Sequence, residues 1–165
     1  MSKALIVIDA QNDYLATGKY PLWNMDSALA EVKHQISEYK QQNLPIIFIR
    51  HLSGKGAAFF EEGTKGSEII PELLELAGDK AIIINKRHGN SFDETELDSV
   101  LQKRECKKIA LCGMMTQNCI LFTAISDQAR KYDISVIEKG CTSVSAVIHS
   151  VAIRGLLRIN HINVI

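Results

Sequence analysis

The chain of 165 residues lacks most of the features that mark a specialised binding protein. It has no excess charge: 19 Lys and Arg stand against 19 Asp and Glu, and neither sign forms a sustained block. Without a basic face there is no electrostatic footprint for nucleic acid or for an anionic membrane. The short clusters Lys103-Arg104 and Lys107-Lys108 are separated by an acid and read as solvated helix ends. No apolar run approaches the roughly 20 residues of a membrane span. The amino terminus passes from Met1-Ser2-Lys3 into an apolar stretch that meets an acid at once, too short for a signal-peptide core. A cytoplasmic protein is expected, with neither nucleic-acid nor membrane partners.

Cysteine is scarce and unpaired in pattern. Cys106, Cys112, Cys119 and Cys141 form no C-x-x-C, so free thiols are expected instead of a disulfide framework or a structural zinc site. Cofactor signatures are missing as well. Gly54-Lys55-Gly56 lacks the third glycine of a dinucleotide fingerprint and does not lead the first strand into a helix. No glycine-rich Lys-Ser/Thr loop is there to cradle a phosphate, and Asp9-Ala10-Gln11 lacks the second acid of an aspartyl phosphatase. No cofactor is implied.

What the chain does have is a regular alternation. The apolar runs Ala4–Ile8, Pro45–Ile49, Ala81–Ile84, Ile109–Cys112, Ile134–Ile137 and Ile162–Ile165 are short and rich in Ile and Val. Continuous rather than alternating apolarity is the mark of strands covered on both faces. Helical patterns lie between them, near residues 25–42, 68–77, 94–104, 116–131 and 145–158. Asn24 or Asp26, Asp93 or Thr95, and Ser143 or Ser145 are the candidate caps. The sum is an α/β fold of three layers, a parallel sheet with helices on both faces, in a single domain over residues 1–165. The glycine-rich loop from Leu52 to Lys65 is the most flexible candidate and is expected to cover a site.

In such sheets ligands bind beyond the carboxyl ends of the strands, where the strand order reverses. Asp9 ends the first run, Lys86 follows the third, and Cys119 follows the fourth after a glycine turn. With a 3-2-1-4-5-6 order, Asp9 and Cys119 face each other, and Lys86 reaches in along its stem. A thiol at the start of a helix meets the positive end of the dipole, which favours thiolate. Asp9 is placed to accept its proton, Lys86 to stabilise the sulfur anion, and the backbone N–H groups of Met115 and Cys119 to hold an oxyanion. Each residue alone has a plainer reading: Asp9 as a cap, Lys86 as a solvated cation, Cys119 as core. The three carry chemistry only if they converge.

The segment Leu5-Ile6-Val7-Ile8-Asp9-Ala10-Gln11-Asn12-Asp13-Tyr14 resembles the opening of the isochorismatase-like cysteine hydrolases. The stretch Lys86 to Leu97 resembles that family's lysine segment, and Gly113-Met114-Met115-Thr116-Gln117-Asn118-Cys119-Ile120-Leu121-Phe122-Thr123-Ala124 resembles its G-x-x-T-x-x-C-V-x-x-T-A signature. The resemblance implies a six-stranded parallel sheet, a catalytic trio of Asp9, Lys86 and Cys119, and a non-proline cis peptide at Met114–Met115 before the oxyanion-hole residue. It also implies a homo-oligomer, dimer or tetramer, in which a neighbouring subunit sometimes closes the pocket.

Two departures bear on substrate. Nicotinamidases have an Asp-x-His and further histidines after the second strand, which bind a metal. Here that stretch reads Phe48-Ile49-Arg50-His51-Leu52-Ser53-Gly54, with one histidine, so no metal is expected and nicotinamide is disfavoured. True isochorismatases commonly lack the cysteine, and retention of Cys119 points towards C–N bond hydrolysis. Tyr14, Phe92 and Trp23 are candidate pocket walls, Gln11 and Arg50 candidate polar handles, and Met114 is grouped with the substrate-binding residues. His34, His88, His149 and His161 show no metal-ligand spacing and read as surface or helix-face residues. The resulting expectation is a hydrolase that cleaves an amide, ureide or carbamoyl bond of a small metabolite through a thioester. The alternatives are an isochorismatase-type hydrolase without covalent catalysis and a non-catalytic ligand-binding protein on the same fold.

Overall fold

The computed structural model describes residues 2–165. Six strands, β1 (Ser2–Ile8), β2 (Ile46–His51), β3 (Ile82–Lys86), β4 (Cys106–Met114), β5 (Asp133–Thr142) and β6 (Ile162–Val164), form one parallel sheet in the order β3-β2-β1-β4-β5-β6. The helices are α1 (Met25–Gln41), α2 (Pro71–Ala77), α3 (Leu97–Lys103), α4 (Leu121–Ile125) and α5 (Ala146–Leu156). The expected three-layer architecture and strand order are those observed.

The layers follow from the strands' apolarity. Along β1, Ala4, Leu5, Ile6, Val7 and Ile8 are all fully buried, and successive side chains point to opposite faces. Ala4, Ile6 and Ile8 join a core with Leu97, Leu101, Ile120 and Leu156. Leu5 and Val7 join the other, with Ala28, Val32 and Ile36 of α1 and Leu73 of α2. In α1 the buried residues Met25, Ala28, Leu29, Val32, Ile36 and Tyr39 recur at the three- and four-residue spacing of one helical face.

Caps depart from expectation at two helices. Asn24 occupies the N-cap of α1 in the left-handed region, without a side-chain bond, and Glu96 takes that place at α3. Thr95 still contributes there, because its Oγ1 accepts from Leu97 N at 3.3 Å. At α5 Ser145 caps as expected, accepting from Ile148 N.

The largest difference follows β4. The pattern over 116–131 reads as one helix, but Thr116–Ile120 is a π-turn, α4 spans only Leu121–Ile125, and a separate 3-10 turn covers Ala129–Lys131. The break has a local cause. Ser126 is extended, its hydroxyl donates to Thr123 O and accepts from Ala129 N, and so it offers the backbone a turn in place of helix.

The loop after β2 is also more tied down than its glycines imply. Asp13 Oδ2 accepts from Phe60 N at 2.7 Å, and Phe59 and Phe60 pack with Tyr14 and Tyr20 in one aromatic cluster. Gly66 lies so close to the Asp13 carboxylate that a Cβ would collide with it.

Candidate active site

Three strand ends and one turn build the site. Asp9, immediately after β1, has φ 52°, in the left-handed region that Asp tolerates better than most residues. Gly113, in β4 beside Ile8, has φ 121°, and a Cβ there would run into the Ile8 carbonyl. Only glycine lets β4 approach β1 so closely. The next peptide, Met114–Met115, is cis, and Ile120 N donates to Met115 O across the π-turn. This brings Cys119 back over the end of β1.

The expected trio converges. Lys86 Nζ lies 2.9 Å from Asp9 Oδ2 and 3.1 Å from Cys119 Sγ. All three residues are buried, with Asp9 at 0%, Lys86 at 2% and Cys119 at 3% exposure, so the charges interact with little solvent screening. Lys86 crosses over β2 from the sheet edge, where it also donates to the His88 carbonyl at 3.0 Å. The approach to Asp9 has ion-pair distance without hydrogen-bond alignment, and neither Asp9 oxygen has a hydrogen-bond partner.

The thiol's acidity runs against the dipole argument. Burial raises the Cys119 pKa above the ordinary thiol value, and the Asp9 carboxylate adds to it, while Lys86 opposes without prevailing. Cys119 also sits inside a π-turn leading into a five-residue helix, so little aligned dipole acts on it. The resting group is a thiol. Burial alone lowers the Lys86 pKa, but Asp9 and the Cys119 sulfur together raise it, so the ammonium is retained.

His51 was read from sequence only as an isolated histidine without metal spacing, yet it belongs to this cluster. It ends β2 in register with Lys86, and its Nδ1 is 3.1 Å from Lys86 Nζ and 3.9 Å from Asp9 Oδ2. Its position at a strand end, level with Asp9 and Lys86, was the available signal. Asp9, His51 and Cys119 each offer a ligand atom within 4.8 Å of one another. These residues do not fit a resident metal, because Lys86 Nζ stands within 3.1 Å of an atom of all three and already supplies the positive charge.

The remaining residues divide. Tyr14 is buried against Phe60, and burial, then the charge of Asp9, raise its phenol pKa, so the hydroxyl stays protonated near the site. Met114 and Met115 are buried at the turn. The Met115 N–H makes no hydrogen bond among the described residues, and the Cys119 N–H makes none outside its own turn. Gln11 is not a free handle: its Nε2 donates to His51 O and Ser67 O, and its Oε1 accepts from His51 N. Phe92 stacks on Tyr132 within the core. Arg50 is turned to Asn85, and Trp23 packs near His149.

His149 is a second revision. It is buried, and its Nδ1 shares a hydrogen bond of 2.8 Å with Thr116 Oγ1, which also donates to Thr142 O. Thr116 thus anchors the turn that carries Met115 and Cys119. A surface depression lined in part by Gly89, Asn90 and Phe122 also takes in Asn118, the chain neighbour of Cys119.

Comparison with known proteins agrees with this fold. The family model described as the isochorismatase domain matches residues 3–162. The isochorismatase family protein YddQ of Bacillus subtilis is 34% identical over 146 residues, covering 88% of this chain and 80% of its own. The secreted isochorismatase effector Isc1 of Verticillium dahliae is 35% identical over 134 residues, covering 81% of this chain and 69% of its own. Among solved structures, an isochorismatase from Pseudomonas putida superimposes with a TM-score of 0.88 at 27% identity, over 98% of this chain and 86% of that one. Among the described residues no helix is long and apolar enough to cross a membrane. The chain belongs to the isochorismatase family.

Proposed function

We propose that the protein is a cysteine-dependent hydrolase that cleaves a C–N bond of a small metabolite, an amide, ureide or carbamoyl group, through a thioester. The observation that carries this reading is the convergence of Asp9, Lys86 and Cys119 in one buried cluster. An unionised thiol beside an unbonded carboxylate is a nucleophile with its base in place.

In the first half-reaction Asp9 takes the Cys119 proton as sulfur attacks the substrate carbonyl carbon. Lys86 stabilises the sulfur anion as it forms. The Met115 and Cys119 N–H groups donate to the oxyanion of the tetrahedral intermediate. The C–N bond then breaks, Asp9 gives its proton to the leaving nitrogen, and the acyl group remains on sulfur. In the second half, water loses a proton to Asp9 and attacks the thioester. The carboxylic acid leaves, and the proton returns to sulfur. The net change is addition of one water across the C–N bond. Tyr14 and Met114 stand beside this path as substrate contacts, and Gln11 acts by fixing His51. No step calls for a cofactor.

The reading extends to self-association in one domain. Val147 and Val151 on α5 are 72% and 65% exposed, with Val144, Ile148 and Leu157 nearby, an apolar face that a second copy would cover. A cytoplasmic location fits a chain with four free thiols.

A panel of amides, ureides and carbamoyl compounds, assayed with wild type and Cys119→Ala, tests the function. Near-total loss of turnover in a folded Cys119→Ala variant is expected, and residual activity within about tenfold of wild type rejects covalent catalysis.

A further inference from the structure

Lys86 presents three N–H donors and no acceptor. Around its Nζ stand Asp9 Oδ2 at 2.9 Å, the His88 carbonyl at 3.0 Å, His51 Nδ1 at 3.1 Å and Cys119 Sγ at 3.1 Å. Acceptors outnumber donors, so the division of the donors decides what the ammonium does. Against an ammonium, His51 Nδ1 can only accept, which fixes the ring as neutral with its proton on Nε2.

His51 is held for this task with unusual care. Its backbone N–H and carbonyl are both taken by one buried side chain, that of Gln11, at 2.8 and 2.9 Å. Gln11 is anchored in turn to Ser67 O at 2.8 Å. The cross-strand register sets His51 directly beside Lys86, and the Phe60 ring lies 6.1 Å from the imidazole on the loop side. Burial disfavours the imidazolium, and Lys86 adds to this; Asp9 opposes, while His88 and Arg87 act with Lys86. The ring therefore remains an acceptor through neutral pH.

We infer that His51 is a positioning residue for Lys86: its neutral Nδ1 holds one ammonium N–H away from Asp9, so that the carboxylate keeps no hydrogen bond from the ammonium and the ammonium stays at the Cys119 sulfur. Asp9 is the strongest acceptor in reach, because its bond to an ammonium is charge-assisted on both sides. Without His51 the freed ammonium turns fully onto the carboxylate. The base is then neutralised and the sulfur loses its counter-charge. This rests on the roles given to Asp9, Lys86 and Cys119 above, and it extends them to a residue that does not touch the reacting atoms.

The test reads the thiol directly, without a substrate. Iodoacetamide alkylation of Cys119, followed by peptide mass against pH, is compared in wild type, His51→Asn and His51→Leu. Asparagine places an amide oxygen near the position of Nδ1, whereas leucine keeps the bulk without an acceptor. The His51→Leu profile is expected to shift to higher pH, with alkylation at neutral pH slowed about tenfold or more, as loss of a hydrogen bond to a charged group implies. His51→Asn is expected to restore the wild-type profile. Nitrogen NMR of wild type is expected to show His51 neutral and unprotonated at Nδ1. A wild-type profile in His51→Leu, no rescue by asparagine, or a proton on Nδ1 at neutral pH overturns the inference. If His51→Leu does not fold, the asparagine profile and the wild-type tautomer still decide it. Turnover is not read here, so failure of the hydrolase reading in Cys119→Ala remains a separate result.

Discussion

Thr123 holds Ser91 by two hydrogen bonds: its Oγ1 donates to Ser91 Oγ at 2.9 Å and accepts from Ser91 N at 3.0 Å. Both residues are fully buried. The pair ties the loop after β3, whose His88 carbonyl accepts from Lys86 Nζ, to α4, which follows Cys119. Thr95 Oγ1 extends the tie by donating to Ser91 O. Two elements that share no strand pairing are thereby kept in one relative position.

Thr123→Val keeps the shape and removes both bonds, leaving the Ser91 N–H without an acceptor. A loss of about 1–3 kcal/mol is expected for a buried donor left unsatisfied. Urea denaturation measures it. A change below about 0.5 kcal/mol, the range of neutral surface substitutions, would show that the tie contributes nothing to stability.

Alkaline pH is expected to destabilise the protein through its thiols. Burial raises the Cys112 thiol well above its ordinary range, raises Cys141 to about 12, and raises Cys119 as well. Groups with a raised folded pKa contribute stability below their unfolded value and lose it as pH climbs towards the folded one. Above roughly pH 9 the unfolded chain releases protons that the native chain keeps, so unfolding becomes easier. Denaturation midpoints measured on both sides of that value should fall on the alkaline side. Cys112→Ala should make the fall shallower, and a flat profile in wild type would contradict the argument.

Chelation is expected to leave the protein unchanged. Lys86 Nζ already occupies the space between Asp9, His51 and Cys119 that a divalent ion would need. Dialysis against EDTA should alter neither turnover of a substrate found by the panel nor the melting temperature. Activity lost on chelation and restored by zinc would show that Lys86 yields its place.

Most of the frame was legible because parallel strands advertise themselves. Runs such as Leu5-Ile6-Val7-Ile8 have no polar face to hide, and Asp9 after the first run and Lys86 at the end of the third strand fall at the carboxyl edge of the sheet. Asp9 and Lys86 were readable on that basis, and Cys119 from the glycine turn and the signature segment that follow the fourth run. His51 was not, since a search for metal spacing looks along one segment, whereas its partner is on β3, in cross-strand register. His149 could have been found: His149, Ala152, Ile153 and Leu156 recur at helical spacing, which places the imidazole on the buried face of α5. Gln11 and Phe92 had the right chemistry for a pocket but are used up by His51, Ser67 and Tyr132. Such commitments arise only from tertiary packing. The break at Ser126 was hidden for another reason, because the apolar spacing of Ile120, Leu121, Ala124, Ile125 and Ala129 continues across it.

The pairing of β1 with β4 sets Ile8 beside Gly113, although the rest of the sheet's first half lies between them in sequence. During synthesis the acid and the ammonium emerge first, then the partner strand β4, and the thiol of Cys119 follows it. A nascent chain that ends before β4 therefore carries no competent nucleophile. The cluster of Asp9, Lys86 and Cys119 can close only after β4 has been made.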